Sequence, residues 1–172
     1  MMDSENWYAL HVRSNFGFQV RCELMAKEVE TYLPTYDEVH RWQDRRKTIA
    51  MPVFPGYVFA RFADSVPCRL NVLKTRGVIR ILGSGTSIHP VPDDEIANLQ
   101  RMLSSRQRCF GHPFLPDGAR VRIKRGPLRD VEGILIRVKN QARLVVSIEL
   151  LSQAVATEVD ACDVELASAG QK

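Results

Sequence analysis

Histidine and cysteine are the side chains that most readily carry chemistry, and this chain has four of each without gathering them. His11, His40, His89 and His112 lie far apart, and none has an acid or a cysteine at the spacing of a metal site or a catalytic triad. Each reads as a surface or packing histidine. Cys22, Cys68, Cys109 and Cys162 are scattered and lack a C-x-x-C pair, so they read as reduced thiols of a cytosolic protein. The stretch "GSG" at 83–85 lacks the third glycine of a dinucleotide loop and precedes no immediate helix, which makes it a turn. With no P-loop, H-E-x-x-H or nucleophile motif, neither an enzyme nor a metal nor a cofactor is expected.

Aromatic and basic side chains are the remaining signal. "MPVFPGYVFARF" (51–62) places four rings and a Pro-Gly pair in one short stretch. As a strand after Gly56 it sends Tyr57, Phe59 and Arg61 to one face and Val58, Ala60 and Phe62 to the other. Only Arg61 is polar, so both faces expect a cover, the second from more of this chain or from another molecule. The net charge is +4, from 24 basic and 20 acidic residues. The cations nevertheless cluster in "RWQDRRK" (41–47), "RLNVLKTRGVIR" (69–80) and "RVRIKR" (120–125). Local clusters in a nearly balanced chain fit brief or assisted phosphate contact better than tight autonomous binding.

The elements that must position these groups follow from periodicity. "WYALHV" (7–12) predicts a strand, and Ser14 or Asn15 offers a cap for a helix with Phe18, Cys22, Met25 and Val29 on one face. "ETYLPTYDEVH" is extended around Pro34, and "RWQDRRK" predicts a hairpin tip before strand 57–62. Ser65 caps a second helix that tolerates Pro67 in its first turn, buries Val66, Leu70 and Leu73, and ends at Gly77. "VIRIL" (78–82) is a strand. A third helix from about Pro92 carries Asp93, Asp94 and Glu95 at its positive end and Ile96, Leu99 and Leu103 as its stripe.

Strands and helices thus mix through residue 104, predicting a layered α/β domain over 1–104. Residues 105–118 read as a linker. From 119 to 172, "ARVRIK", "EGILIRVK", "ARLVVSIEL" and "QAVATEV" predict a small all-β barrel. A chain of 172 residues, 45% hydrophobic and 26% charged, has apolar mass for two such cores. No apolar run approaches the roughly 18 residues of a membrane span, and no secretory signal is expected at the amino terminus.

At "RIKRGPLRDVEGILIRV" (122–138), Gly126, Pro127, Leu128 and Gly133 resemble the KOW motif of SH3-like barrels. Together with "WYALHVRSNFGFQV", "PVFPGYVFARF" and "TRGVIRILG", the chain from Trp7 to Glu165 resembles the NusG family of transcription elongation factors. The resemblance implies an NGN domain with an antiparallel sheet flanked by helices, followed by a KOW domain. It also implies a cytoplasmic monomer, without membrane contact, that binds the clamp helices of the largest subunit of RNA polymerase. Phe54, Tyr57 and Phe59 match that surface, with Tyr8 or His11 nearby. Arg13, Lys74, Thr75 and Arg76 match positions beside the non-template DNA strand, and Arg45, Arg46 and Lys47 would assist.

For the KOW domain the resemblance implies a further partner, with ribosomal protein S10 as one candidate. Cys68, Arg69 and Leu70 stand where the specialised member RfaH has a His-Thr-Thr contact to the other large subunit, and that stretch is absent here. Leu150, Leu151 and Ser152 replace the aromatic-Gly-Arg turn of housekeeping members, so Rho binding is not expected. The expectation is an RfaH-like processive antiterminator with a resident β barrel. The alternatives are a housekeeping member coupled to Rho or the ribosome, an RNA- or ribosome-binding KOW protein, and an enzyme of cryptic chemistry.

Overall fold

β-branched and aromatic residues at period two build a central antiparallel sheet in the amino-terminal part of the chain. In the computed structural model, residues 4–42, 45–84, 86–105, 107–113, 118–138 and 141–167 are described. They form two compact units, Met1–Asp93 and Asp94–Lys172. The first unit contains β1 (Glu5–Val12), α1 (Gly17–Ala26), β2 (Glu30–Tyr32), β3 (Thr35–Trp42), β4 (Arg45–Pro52), β5 (Tyr57–Ala63), α2 (Val66–Leu73), β6 (Val78–Ile81), β7 (Gly83–Ser84), β8 (Ser87–Ile88) and β9 (Pro90–Val91). The main sheet has the order β2-β5-β1-β6, with β9 also on β1, while β3–β4 and β7–β8 are separate two-stranded ribbons.

β1 and β5 lie inside this sheet, and their register fixes which residues share a face. Trp7 opposes Arg61, Ala9 opposes Phe59 and His11 opposes Tyr57. Tyr8, Leu10, Val58, Ala60 and Phe62 join Val20 and Leu24 of α1 and Val72 of α2 in one buried cluster. The expected alternation of β5 is therefore present, and α1 and α2 contribute to the core on its Val58 face.

Both helices bury a different stripe from the one their spacing suggests. In α1, Val20 and Leu24 are buried, while Phe18, Met25 and Cys22 are exposed. Val29 lies beyond the helix and packs on the core after Glu28 takes a φ of 60°. The helix starts at Phe16 without a side-chain cap, so neither Ser14 nor Asn15 caps it, and Asn15 itself has φ 65°. In α2, Ser65 does cap, accepting from the Cys68 N–H, and Pro67 sits in the first turn. Its Val66, Leu70 and Leu73 are 69%, 47% and 41% exposed, and Val72 is buried instead, with Cys68 packed against the core. Each helix carries apolar residues on two sides. Which side turns inward is decided by its ties to the rest of the unit.

Those ties run between the two helices. The Lys27 ammonium at the end of α1 donates to the Asn71 carbonyl at 2.9 Å and the Thr75 hydroxyl at 2.8 Å. Glu23 accepts the Arg76 N–H at 3.2 Å. Positions 23 and 27 share a helix face, so α1 presents one polar edge to the carboxyl end of α2. Its Phe18 stripe is left on the far side.

The second unit contains α3 (Asp93–Ser104, of which Asp93 itself belongs to the first), β10 (Cys109–Pro113), β11 (Ala119–Ile123), β12 (Glu132–Val138), β13 (Gln141–Ile148), β14 (Gln153–Val159) and β15 (Val164–Leu166). The six strands form one antiparallel sheet in the order β10-β14-β13-β12-β11-β15. Segment 105–118, expected as a linker, thus contributes an edge strand, and β15 adds another that the periodicity did not show. In α3, Met102 joins Ile96 and Leu99 in the buried stripe in place of Leu103.

Glycine has a definite purpose at two positions, one in the β11–β12 connection and one within β12. Gly126 has φ +84°, a conformation most side chains avoid, and opens the turn that the Arg129 N–H closes on its carbonyl at 3.1 Å. At Gly133 a Cβ would lie 2.5 Å from the Val145 carbonyl oxygen, so adjacent backbone fills the space of a side chain. Leu128, between them, is buried.

Candidate functional site

The side chains that the sequence singles out for chemistry remain dispersed. Among the described residues no three His, Cys, Asp or Glu side chains gather as metal ligands. All four cysteines are free thiols, and burial pushes the Cys109 thiol pKa up, which disfavours the nucleophilic thiolate. His40 lies 3.6 Å from Glu38 on the exposed β3 ribbon, a surface pair. The His112 side chain lies outside the described residues. Part of the "GSG" turn is described, as Gly83–Ser84 paired with Ser87–Ile88.

The aromatic residues do come together, on the sheet face opposite α1 and α2. The His11 and Tyr57 rings lie 5.5 Å apart at one end of the face. Phe59 continues the row, with Tyr32 of β2 stacked at 6.4 Å and Phe54 edge-on at 6.3 Å. Arg61 closes the other end, 3.6 Å from Glu30. Phe54 and Phe59 are buried, whereas His11 and Tyr57 are part-exposed. Tyr32 and Arg61 are part-exposed as well, so the row has a closed floor and accessible margins, with His11 and Tyr57 forming its open end. Tyr8 is not part of it. Its ring sits 4.7 Å from Phe62 in the core on the other face, where burial pushes its hydroxyl pKa up.

Tyr32 was not anticipated, because the pairing of β2 with β5 is non-local and leaves no trace in periodicity. Arg80 belongs to the basic run 69–80 but was not expected beside the aromatic row. It opposes His11 from β6 and adds an exposed cation at the open end.

The basic positions separate into accessible and structural ones. The Arg13 N–H donates to the Gly77 carbonyl at 2.8 Å, which brings the residue after β1 beside the end of α2. Arg13, Lys74 and Arg76 are exposed, and Lys74 is the C-cap of α2, where a cation is favoured. Thr75 is buried and holds Lys27, so it belongs to the scaffold. Arg46 and Lys47 are exposed on the β3–β4 ribbon, while the Arg45 side chain lies outside the described residues. Arg69 is committed elsewhere: it pairs with Asp64 and donates to the Thr86 carbonyl at 3.0 Å, tying α2 to the β7–β8 ribbon.

A family profile described as "Transcription termination factor nusG" matches residues 5–100, more than half of the chain. The chain belongs to the NusG family. A NusG transcription termination/antitermination protein from Staphylococcus aureus is 24% identical over 94% of this chain and 96% of its own length. Among solved structures, a study of domain interaction in Thermotoga maritima NusG matches with TM-score 0.58 and 19% identity, covering 96% of this chain and 98% of that one. The NusG-like fold expected from the sequence is thus present. The NusG match spans β1 to β9 and continues into α3, so the aromatic row and the Arg13–Arg76 corner lie wholly within it.

In the second unit the β13–β14 connection holds Leu150, Leu151 and Ser152. Glu149–Leu151 form a 3-10 turn, Leu151 is buried, and Ser152 takes the left-handed conformation with φ 50°. The backbone turn is made without glycine, and the side chains it carries are neither aromatic nor cationic.

Proposed function

We propose that this NusG-family protein is a cytoplasmic, non-enzymatic, monomeric transcription factor. Its first unit grips the clamp helices of RNA polymerase and holds the elongation complex in a pause-resistant state. The observation that carries this reading is the open end of the aromatic row. His11 and Tyr57 remain accessible above the buried rings of Phe59 and Phe54, the arrangement of a rigid apolar anchor. Arg13, Lys74 and Arg76 stand where they can follow the non-template strand, with Arg46 and Lys47 as auxiliary cations. Thr75 and Tyr8 act within the scaffold.

On the same reading residues 1–104 are the NGN domain. Residues 119–172 curl into an SH3-like KOW barrel that recruits a further partner, ribosomal protein S10 being one candidate. The Leu150-Leu151-Ser152 turn supports the RfaH-like, Rho-independent branch, because a buried leucine and a small hydroxyl offer neither ring nor cation to Rho.

The test is a purified transcription reaction containing polymerase and Rho. The protein should shorten pauses, raise readthrough and show no direct binding to Rho. Stimulated Rho-dependent termination would move it to the housekeeping branch, and no effect with no polymerase binding would sink the proposal.

A further inference from the structure

Glu23 of α1 sits at the corner that carries Arg13, Lys74 and Arg76. One of its carboxylate oxygens accepts the Arg76 N–H at 3.2 Å, and the other accepts the Gln19 side-chain amide at 2.9 Å, one turn back along the helix. Lys27, one turn further on, directs its ammonium to the Asn71 carbonyl and the Thr75 hydroxyl. Among the described residues no ion pair joins Glu23 to Lys27, Arg13, Lys74 or Arg76. The carboxylate is therefore engaged by two neutral donors. Its charge stands beside three exposed cations without cancelling any of them directly.

We propose that Glu23 limits the affinity of this corner for a nucleic-acid backbone. The inference rests on the reading that Arg13, Lys74 and Arg76 follow the non-template strand, and it gives a part in that contact to a residue outside the cationic set. The hydrogen bond to the Arg76 N–H needs only an oxygen acceptor, which a glutamine side chain also offers. The negative charge is a separate property, and it acts on any phosphate that approaches.

A phosphate held by Arg76 lies about a Debye length from the Glu23 carboxylate at ordinary ionic strength, so salt weakens their repulsion without abolishing it. Glu23 cannot swing clear without giving up the Arg76 N–H, so the opposition is built into the corner. The attraction of three cations is met at short range by one fixed acid. The chain's balance of 24 basic and 20 acidic residues gives that acid weight, because no large excess of positive charge masks it.

The test uses the full chain and a fluorescent single-stranded oligothymidylate, with affinity read by anisotropy from about 0.1 M salt upward. Glu23→Gln should bind about two- to threefold tighter at the lowest salt, and the gain should vanish as salt rises. Hydrogen exchange at the Arg76 amide should stay as in the wild type, because the acceptor is kept. Glu5→Gln removes an equal charge from an exposed residue at the far end of β1, about 23 Å from Val12, and should leave binding unchanged. Lys74→Gln with Arg76→Gln should weaken binding; if that pair has no effect, the DNA contact itself falls and the proposal with it. Weakening by the pair without a gain in Glu23→Gln, or with an equal gain in Glu5→Gln, would overturn the proposal and leave the contact standing. A gain that persists at high salt, or that comes with faster exchange at the Arg76 amide, would trace to loosened backbone and overturn it as well.

Discussion

His11 and Tyr57 face each other across β1 and β5 with ring centroids 5.5 Å apart, and both remain part-exposed at one end of the aromatic row. Two residues along β5 the same row reaches Phe59, which is completely enclosed. Accessibility therefore divides a set of rings that look equivalent in the sequence.

That division makes Tyr57→Ala and Phe59→Ala opposite experiments. Tyr57→Ala should keep the thermal transition within a few degrees and weaken polymerase binding by about 2 kcal/mol or more, as loss of an interface anchor does. Phe59→Ala should destabilise the first unit by about 3–5 kcal/mol, the usual result of emptying a buried aromatic site. Denaturant unfolding beside a clamp-helix binding assay separates the two.

The reversed stripe of α2 gives a second test. Leu70→Ser and Leu73→Ser should each cost no more than about 1 kcal/mol, because nearly half of each residue is already in water. Val72→Ala should cost about 2 kcal/mol, since two buried methyl groups are lost. The opposite ranking in a urea titration would restore the stripe read from spacing.

At the end of α2 neighbouring residues should respond differently. Lys74→Gln with Arg76→Gln should reduce crosslinking to the non-template strand and flatten its salt dependence, with stability unchanged. Thr75→Val should cost about 1 kcal/mol of stability, because the Lys27 ammonium loses one of its two acceptors. It should leave crosslinking intact.

Gly133→Ala should cost the second unit about 1–3 kcal/mol, because the new methyl group meets the Val145 carbonyl, which is backbone and cannot rotate away. Gly126→Ala meets no atom within 4 Å, so only its positive φ is penalised, by about 1 kcal/mol. Thermal melts of the two variants rank them.

Much of this was legible in the residues themselves. Tyr57 and Phe59 take the face predicted by alternation, because period two leaves a strand no freedom once Val58 and Ala60 are buried. The Ser65 cap was readable for a similar reason, since a cap is local chemistry. The inward stripes of α1 and α2 were not. Phe18-Cys22-Met25 and Val20-Leu24 are both possible inner faces, and the choice rests on Lys27 and Glu23 meeting residues more than forty positions away. Tyr8 was assigned beside His11 because both lie on β1, yet they differ by an odd number of positions and so point oppositely. Strands β10 and β15 escaped notice because each draws its place from a partner strand rather than from its own pattern.

The bond from the Arg13 N–H to the Gly77 carbonyl, and that from the Arg76 N–H to Glu23, have a thermodynamic consequence for any polyanion that arrives there. Both cations stand on backbone that is already anchored, so no loop has to be ordered at the moment of contact. The entropy lost is confined to two long side chains, about 0.5–1.5 kcal/mol each. A strand sliding past would exchange one phosphate for the next over a nearly level free-energy surface, which suits a grip that must hold and advance at once.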